Sequence, residues 1–194
     1  MMFNQPININ QRYFLLILYA VILCVFGPTM YWITHRESST PVPGGKNSIE
    51  KRVSLGEKIL VTAHNNSAKQ AGVNAFDQGD YVEAQEDFTW ALKSDRNDPE
   101  ARIYLNNTIA AKTKDPEQIG VSVPIGGDLG AAEEILRGVA QAQTEINNNG
   151  GINGKALMVK IANDDNNPDL AREIANAFVK DKQVSAVVGH VGSD

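Results

Sequence analysis

From Ile119 to Asp194 this chain alternates short β-branched runs with longer amphipathic ones, in the order strand, helix, strand, helix, strand. Ile119–Val123 (IGVSV) reads as the first strand, and Pro124–Gly130 as a Gly-rich loop. The helix that follows runs to about Asn148; Ile135, Val139, Ala142 and Ile146 fall at i, i+4, i+7 and i+11 and predict one buried face. Asn148–Gly151 ends it with residues that tolerate left-handed backbone, and Ile152–Lys155 turns into a strand over 156–162. Asn167 and Pro168 are a good N-cap and a good first helical residue, and that helix is expected to bury Ile174, Ala177 and Phe178. Val184–Val188 is a third strand, apolar enough for the interior of a parallel sheet.

Right-handed crossovers would place the first of these strands between the other two. Loops at the C-terminal ends of the strands would then line a crevice. The residues in those loops exclude several chemistries. Gly126–Gly130 (GGDLG) is neither GxGxxG nor a phosphate-binding loop with its Lys-Ser/Thr pair, so no nucleotide is implied. Asp164 and Asp165 are adjacent carboxylates in a polar loop and are read as solvated rather than metal-binding. His190 has no cysteine or second histidine near it. No nucleophile–base pair is visible, so neither an enzymatic activity nor a cofactor is implied.

The net charge of -5 is concentrated at the C-terminal end: residues 117–194 carry 6 Lys+Arg against 11 Asp+Glu, and residues 1–116 are neutral. Without a basic face, nucleic acid is not expected as a partner. At the other end, Tyr13–Ile33 contains no charged residue. Roughly 20 apolar residues rising 1.5 Å each span the ~30 Å hydrocarbon core of a bilayer. The run is too long for a secretory signal, and Leu23 before Cys24 does not fit a lipoprotein signal. An uncleaved transmembrane anchor is the expectation; the flanking charges, Arg12 on one side and Arg36 and Lys46 on the other, do not decide which side the rest of the chain faces.

Between the two ends, Glu37–Ser54 is polar and contains Pro41, Pro43 and two glycines, and reads as a tether. Residues 66–111 are helical in pattern, broken at Gly79-Asp80 and reopened at Asp98-Pro99, with Ile103, Tyr104 and Ile109 expected to face inward. Residues 71–92 resemble one tetratricopeptide repeat, with small residues at Gly72, Ala84 and Ala91 and with Tyr81 and Phe88 between the helices. A plain helical hairpin is the alternative, because about three such repeats are needed for a continuous core.

Within the α/β unit, the residues of 119–125 (IGVSVPI), 134–140 (EILRGVA), 145–155 (EINNNGGINGK), Asp164-Asp165 and 186–190 (AVVGH) closely resemble the N-terminal part of type I periplasmic solute-binding proteins. The leucine/isoleucine/valine-binding receptors of ABC transporters are the nearest group. The resemblance covers 118–194, about two-fifths of the chain. It implies a Rossmann-like lobe of a two-lobed receptor that closes on an amino acid or similar small polar solute and delivers it to permease subunits. It also implies ligand contacts in the loops after the first and third strands. Ser193 matches a serine that helps hold the ligand's α-carboxylate, and Gly127 lies in the first loop. Ala131 stands nearest to the place where some relatives set an aromatic residue against the ligand, so that contact is absent or moved.

The organisation expected from sequence is therefore a short tail (1–12), an anchor (13–33), a flexible linker (34–58), a tetratricopeptide-like helical region (59–115) and a partial α/β lobe of periplasmic-binding-protein type (118–194). By itself this polypeptide is expected to bind no amino acid tightly. The alternative function is that of a membrane-anchored adaptor, with a protein partner at the helical repeat.

Overall fold

The computed structural model describes residues 49–189. Strand β1 (Val53–Ser54) leads through a 3-10 turn (Thr62–His64) to three helices, α1 (Ser67–Asp77), α2 (Tyr81–Ser94) and α3 (Pro99–Ala111). There follow β2 (Glu117–Val123), α4 (Leu129–Asn148), β3 (Leu157–Asn163), α5 (Pro168–Lys180) and β4 (Val184–Val188). Each α-helix opens on an Asn or Asp whose side chain accepts an N-terminal N–H: Asn66, Asp80, Asp98, Asp128 and Asn167. Such a cap stabilises a helix by about 1 kcal/mol. The expected anchor, Tyr13–Ile33, lies outside the described residues, as do the tail and the first part of the linker. Among the described residues no helix is long and apolar enough to cross a membrane.

The sheet order is β1-β3-β2-β4. β2 pairs in parallel with both β3 and β4, so the first strand of the α/β unit does lie between the other two. β1 adds to the outer edge of β3 in antiparallel register, Val53 opposite Ala162 and Ser54 opposite Ile161. This corrects the expectation of a flexible linker reaching residue 58. Ser54 is fully buried, its Oγ accepts the N–H groups of Gly56 and Lys58, and the Glu57 carboxylate accepts those of Leu55 and Gly56. The segment has no apolar core of its own; it gains order by joining an existing sheet edge.

Side chains continue where β1 stops. The Asn107 amide donates to the carbonyl of Val159 (2.7 Å) and accepts its N–H (2.8 Å), and it also meets Leu55 O and Gln143. Two residues back along β3, Asn147 does the same for Leu157. The edge of β3 is thus closed by a strand, then by two asparagines, one from α3 and one from α4.

One apolar cluster contains Phe76, Phe88 and Tyr104 from the helices together with Val121, Leu136 and Ile161 from the α/β unit. Gly72 admits the Phe88 ring: a Cβ there would stand 2.8 Å from it. The three helices are further tied to the preceding segment by Lys69, fully buried, whose Nζ lies 2.7 Å from both Asp98 Oδ2 and Glu100 Oε2. Glu100 in turn accepts the N–H groups of Leu60 and Val61 and the Tyr104 hydroxyl. Burial pushes the Glu100 carboxyl up, against the pull of the Lys69 ammonium. The hairpin therefore packs on the α/β unit, and its resemblance to a tetratricopeptide repeat rests on sequence alone.

Three burial expectations need correction. Ile109 is 42% exposed; Asn107 and Thr108 are buried on α3 instead, because that face meets polar edge groups of β3 as well as apolar ones. On α4 the buried residues are Ala132, Leu136, Ala140 and Gln143, while Ala142 is exposed and Ile135, Val139 and Ile146 are half-buried. The helix is rotated relative to the expected stripe because α3 shares it with the sheet. β4 is mostly exposed rather than interior, since among the described residues it is the sheet's edge strand. Ile174 and Phe178 are buried as expected and Ala177 only partly, and Phe178 packs on Gly120 of β2, where a Cβ would stand 2.7 Å from the ring.

Candidate functional site

The C-terminal ends of β2 and β3 bring two loops together, 124–128 and 164–167. The first is a tight turn: Pro124 O accepts the N–H groups of Gly127 (3.0 Å) and Asp128 (2.7 Å). Asp128 then caps α4 by accepting Ala131 N–H at 3.0 Å. The second loop holds Asp165 and Asn166 at φ +53° and +55°, a left-handed conformation that Asp and Asn tolerate best among residues with a Cβ. Asn163 joins the loops: its Oδ1 accepts from Gly126 N (3.2 Å) and from Asp165 N (3.0 Å).

Behind these loops sits a buried carboxylate. Asp164 is fully inaccessible, accepts the Ser122 hydroxyl at 2.7 Å and takes Asn166 N–H at 2.9 Å. The expectation that both aspartates are solvated fails for Asp164, which fastens the end of β2 to the loop after β3. Asp165 is partly exposed and ion-paired with Arg52, which reaches it from the segment before β1. Among the described residues no group of acidic, His or Cys side chains could hold a metal ion.

Gly127 lies exposed at the crest of the first loop, in contact with the second. A Cβ there would stand 2.4 Å from Asp165 O and 2.6 Å from Asn166 Cβ, so a side chain would push the loops apart. Ala131 sits in the first turn of α4, half-buried, with its N–H already taken by Asp128. Ser193 and His190 lie outside the described residues. Gly189, which follows the last residue of β4, has φ +103° and packs so closely on β2 that a Cβ would meet Ser122 O at 2.3 Å. Sequence reasoning missed Asn163, Ser122 and Arg52. An Asn at the end of a strand is a weak signal for the first, and nothing in the polar stretch around Arg52 marks it as a partner for a loop 113 residues away.

Residues 116–194 match the family model of the periplasmic binding proteins. The chain is 38% identical over 76 residues to Leu/Ile/Val-binding protein homolog 2 of Brucella abortus, which is 39% of this chain and 20% of that protein. It is 40% identical over 73 residues to an amino acid binding protein of Pseudomonas aeruginosa, 37% of this chain and 20% of that one. Leu/Ile/Val-binding protein homolog 1 of Brucella abortus is 33% identical over 76 residues. The chain thus spans about one fifth of the length of the curated relatives it matches. No solved structure gives a significant match. The C-terminal segment is thus similar to part of a type I periplasmic binding protein.

Proposed function

We propose that residues 118–194 contribute to a solute-binding lobe for an amino acid or similar small polar molecule, in a receptor that serves an ABC-type transporter. The observation that carries this reading is the pair of joined loops at the ends of β2 and β3, in the segment that matches periplasmic binding proteins. Gly127, bare of side chain, lets the first loop pack directly on the second, which holds the two loops together where the ligand contacts would lie. In the same reading Ser193 holds a ligand carboxylate, and Ala131 leaves room where some relatives carry a larger side chain. The run Tyr13–Ile33 anchors the chain, the polar stretch that follows it tethers the rest, the lobe faces the periplasm, and permease subunits are its partners.

Binding by this polypeptide alone is expected to be weak. It is measured by amide chemical shifts of the full chain, solubilised in detergent, against a panel of amino acids up to about 10 mM. Shifts confined to Gly126, Gly127 and Ala131 are the expected result, and a panel that moves none of them counts against the reading. A reporter inserted after Gly45 tests the placement, and a cytoplasmic signal from it would be incompatible with a periplasmic lobe.

A further inference from the structure

A groove of about 360 Å³ lies between the start of α3 and the second half of α4, lined by Arg96, Pro99, Arg102, Arg137, Ala140 and Thr144 among others. That volume falls in the range of small-molecule sites. The groove begins eight residues along α4 from Leu129, on the order of 12 Å at 1.5 Å per residue, so it is separate from the loops at the strand ends. We propose that it binds a small organic polyanion, one that carries two or more carboxylate or phosphate groups.

The argument rests on where positive charge is left unpaired. Of the five arginines in the described residues, Arg52, Arg137 and Arg172 each have a carboxylate partner. Arg96 and Arg102 have none among the described residues, and both line this groove. In a chain whose net charge is -5, two free guanidinium groups at one place are out of keeping with the rest of the surface. Arg137 frames them: its Nη1 donates to Asn97 O at 3.0 Å, bridging α4 to the loop before α3.

Two carboxylates also line the groove, against the three guanidinium groups of Arg96, Arg102 and Arg137, so positive charge is in excess. Asp98 is buried and ion-paired with Lys69 on the inner side at 2.7 Å. Glu145 keeps its charge, as its partner is the neutral Gln141 amide, and is the one lining carboxylate that offsets the guanidinium groups. Guanidinium forks bind carboxylate and phosphate oxygens in pairs, which a chloride ion or an amine would not exploit. The apolar part of the wall is small, chiefly Pro99 and Ala140, which suits a short carbon skeleton and not a lipid chain.

Calorimetry of the full chain in non-ionic detergent, titrated separately with citrate and with pyrophosphate, tests the site. At least one of the two is expected to bind, and about 0.5 M salt should weaken that binding because exposed charges are screened. The double variant Arg96→Gln/Arg102→Gln should lose about tenfold or more in affinity, each fork contributing a charge-assisted pair. Both side chains are exposed, so its circular dichroism and melting should match the parent. Binding of citrate alone assigns a polycarboxylate and of pyrophosphate alone a ligand bearing phosphate groups; either supports the site. No binding of either up to about 10 mM, or full binding by the double variant, would overturn it. Since the readout is independent of the amides at Gly126, Gly127 and Ala131, failure here leaves the amino-acid reading where it stands.

Discussion

His64 stands between two carboxylates, with Nδ1 2.6 Å from Asp95 Oδ2 and Nε2 3.0 Å from Glu133 Oε1. A neutral imidazole donates through only one nitrogen, so satisfying both contacts requires the protonated ring. Burial opposes that charge, but the hydrogen bonds to Asp95 and Glu133 outweigh it, and nearby Asp98 adds to their effect, so the His64 pKa is raised. Arg137, 3.9 Å from Glu133, is the cation that competes for the same carboxylate. With the folded pKa above the unfolded one, the native state holds the proton more tightly. The stabilisation is therefore complete below the ordinary value of 6.5 and is lost as pH rises through the raised one. Thermal melting should drop by a few degrees as pH rises from about 6 to about 8, and His64→Gln should flatten that dependence. An equal pH slope in the variant would show that another group is responsible. Residues of this kind are hard to read in a sequence: Asp95 and Glu133 lie 31 and 69 positions from His64, and no local motif joins them. Gly127 differs in that its Gly-rich loop is visible in the sequence, although its packing on Asp165 and Asn166 is not.

At the scale of elements, the outer edge of β3 shows how this fold avoids an open strand. An exposed edge offers unpaired N–H and C=O groups to other chains, and natural proteins cover or interrupt it. Here β1 covers Ile161 and Ala162, Asn107 pairs with Val159, and Asn147 pairs with Leu157. Asn107→Leu should leave the N–H and carbonyl of Val159 and the carbonyl of Leu55 without this partner in a buried setting. A loss of about 3 kcal/mol is expected, read from the denaturant midpoint. A midpoint unchanged within error would mean that the edge is satisfied some other way. The helices and strands themselves were legible because their caps, breaks and periodicities are local. The rotation of α4 was not, since Ile135, Val139, Ala142 and Ile146 form as good a stripe in isolation as the face centred on Leu136 and Ala140. Only the presence of α3 beside the sheet selects between them.

On the scale of the whole described region, residues 59–115 and 118–194 share one apolar cluster, tied by the asparagine pairing and by the segment 49–61 that touches both. Unfolding should therefore be one cooperative step, with amides of Ile103 in α3 and Val159 in β3 protected from hydrogen exchange by the same free energy. Protection that differs by more than about 2 kcal/mol between them would mean two independent units. The sequence by itself determined the order of elements from α1 to β4, the cap at Asn167, the central place of β2 and the likeness of the last two-fifths to solute-binding proteins. Each of these depends on neighbours in the chain or on a recognisable order of residues. Only the tertiary structure decided that a polar stretch becomes an edge strand, that Asp164 is buried against Ser122, that His64 bridges two carboxylates and that Arg96 and Arg102 meet at one groove. Those outcomes depend on which surfaces come together, and a polar side chain's partner across a hundred residues leaves no periodic trace in the sequence.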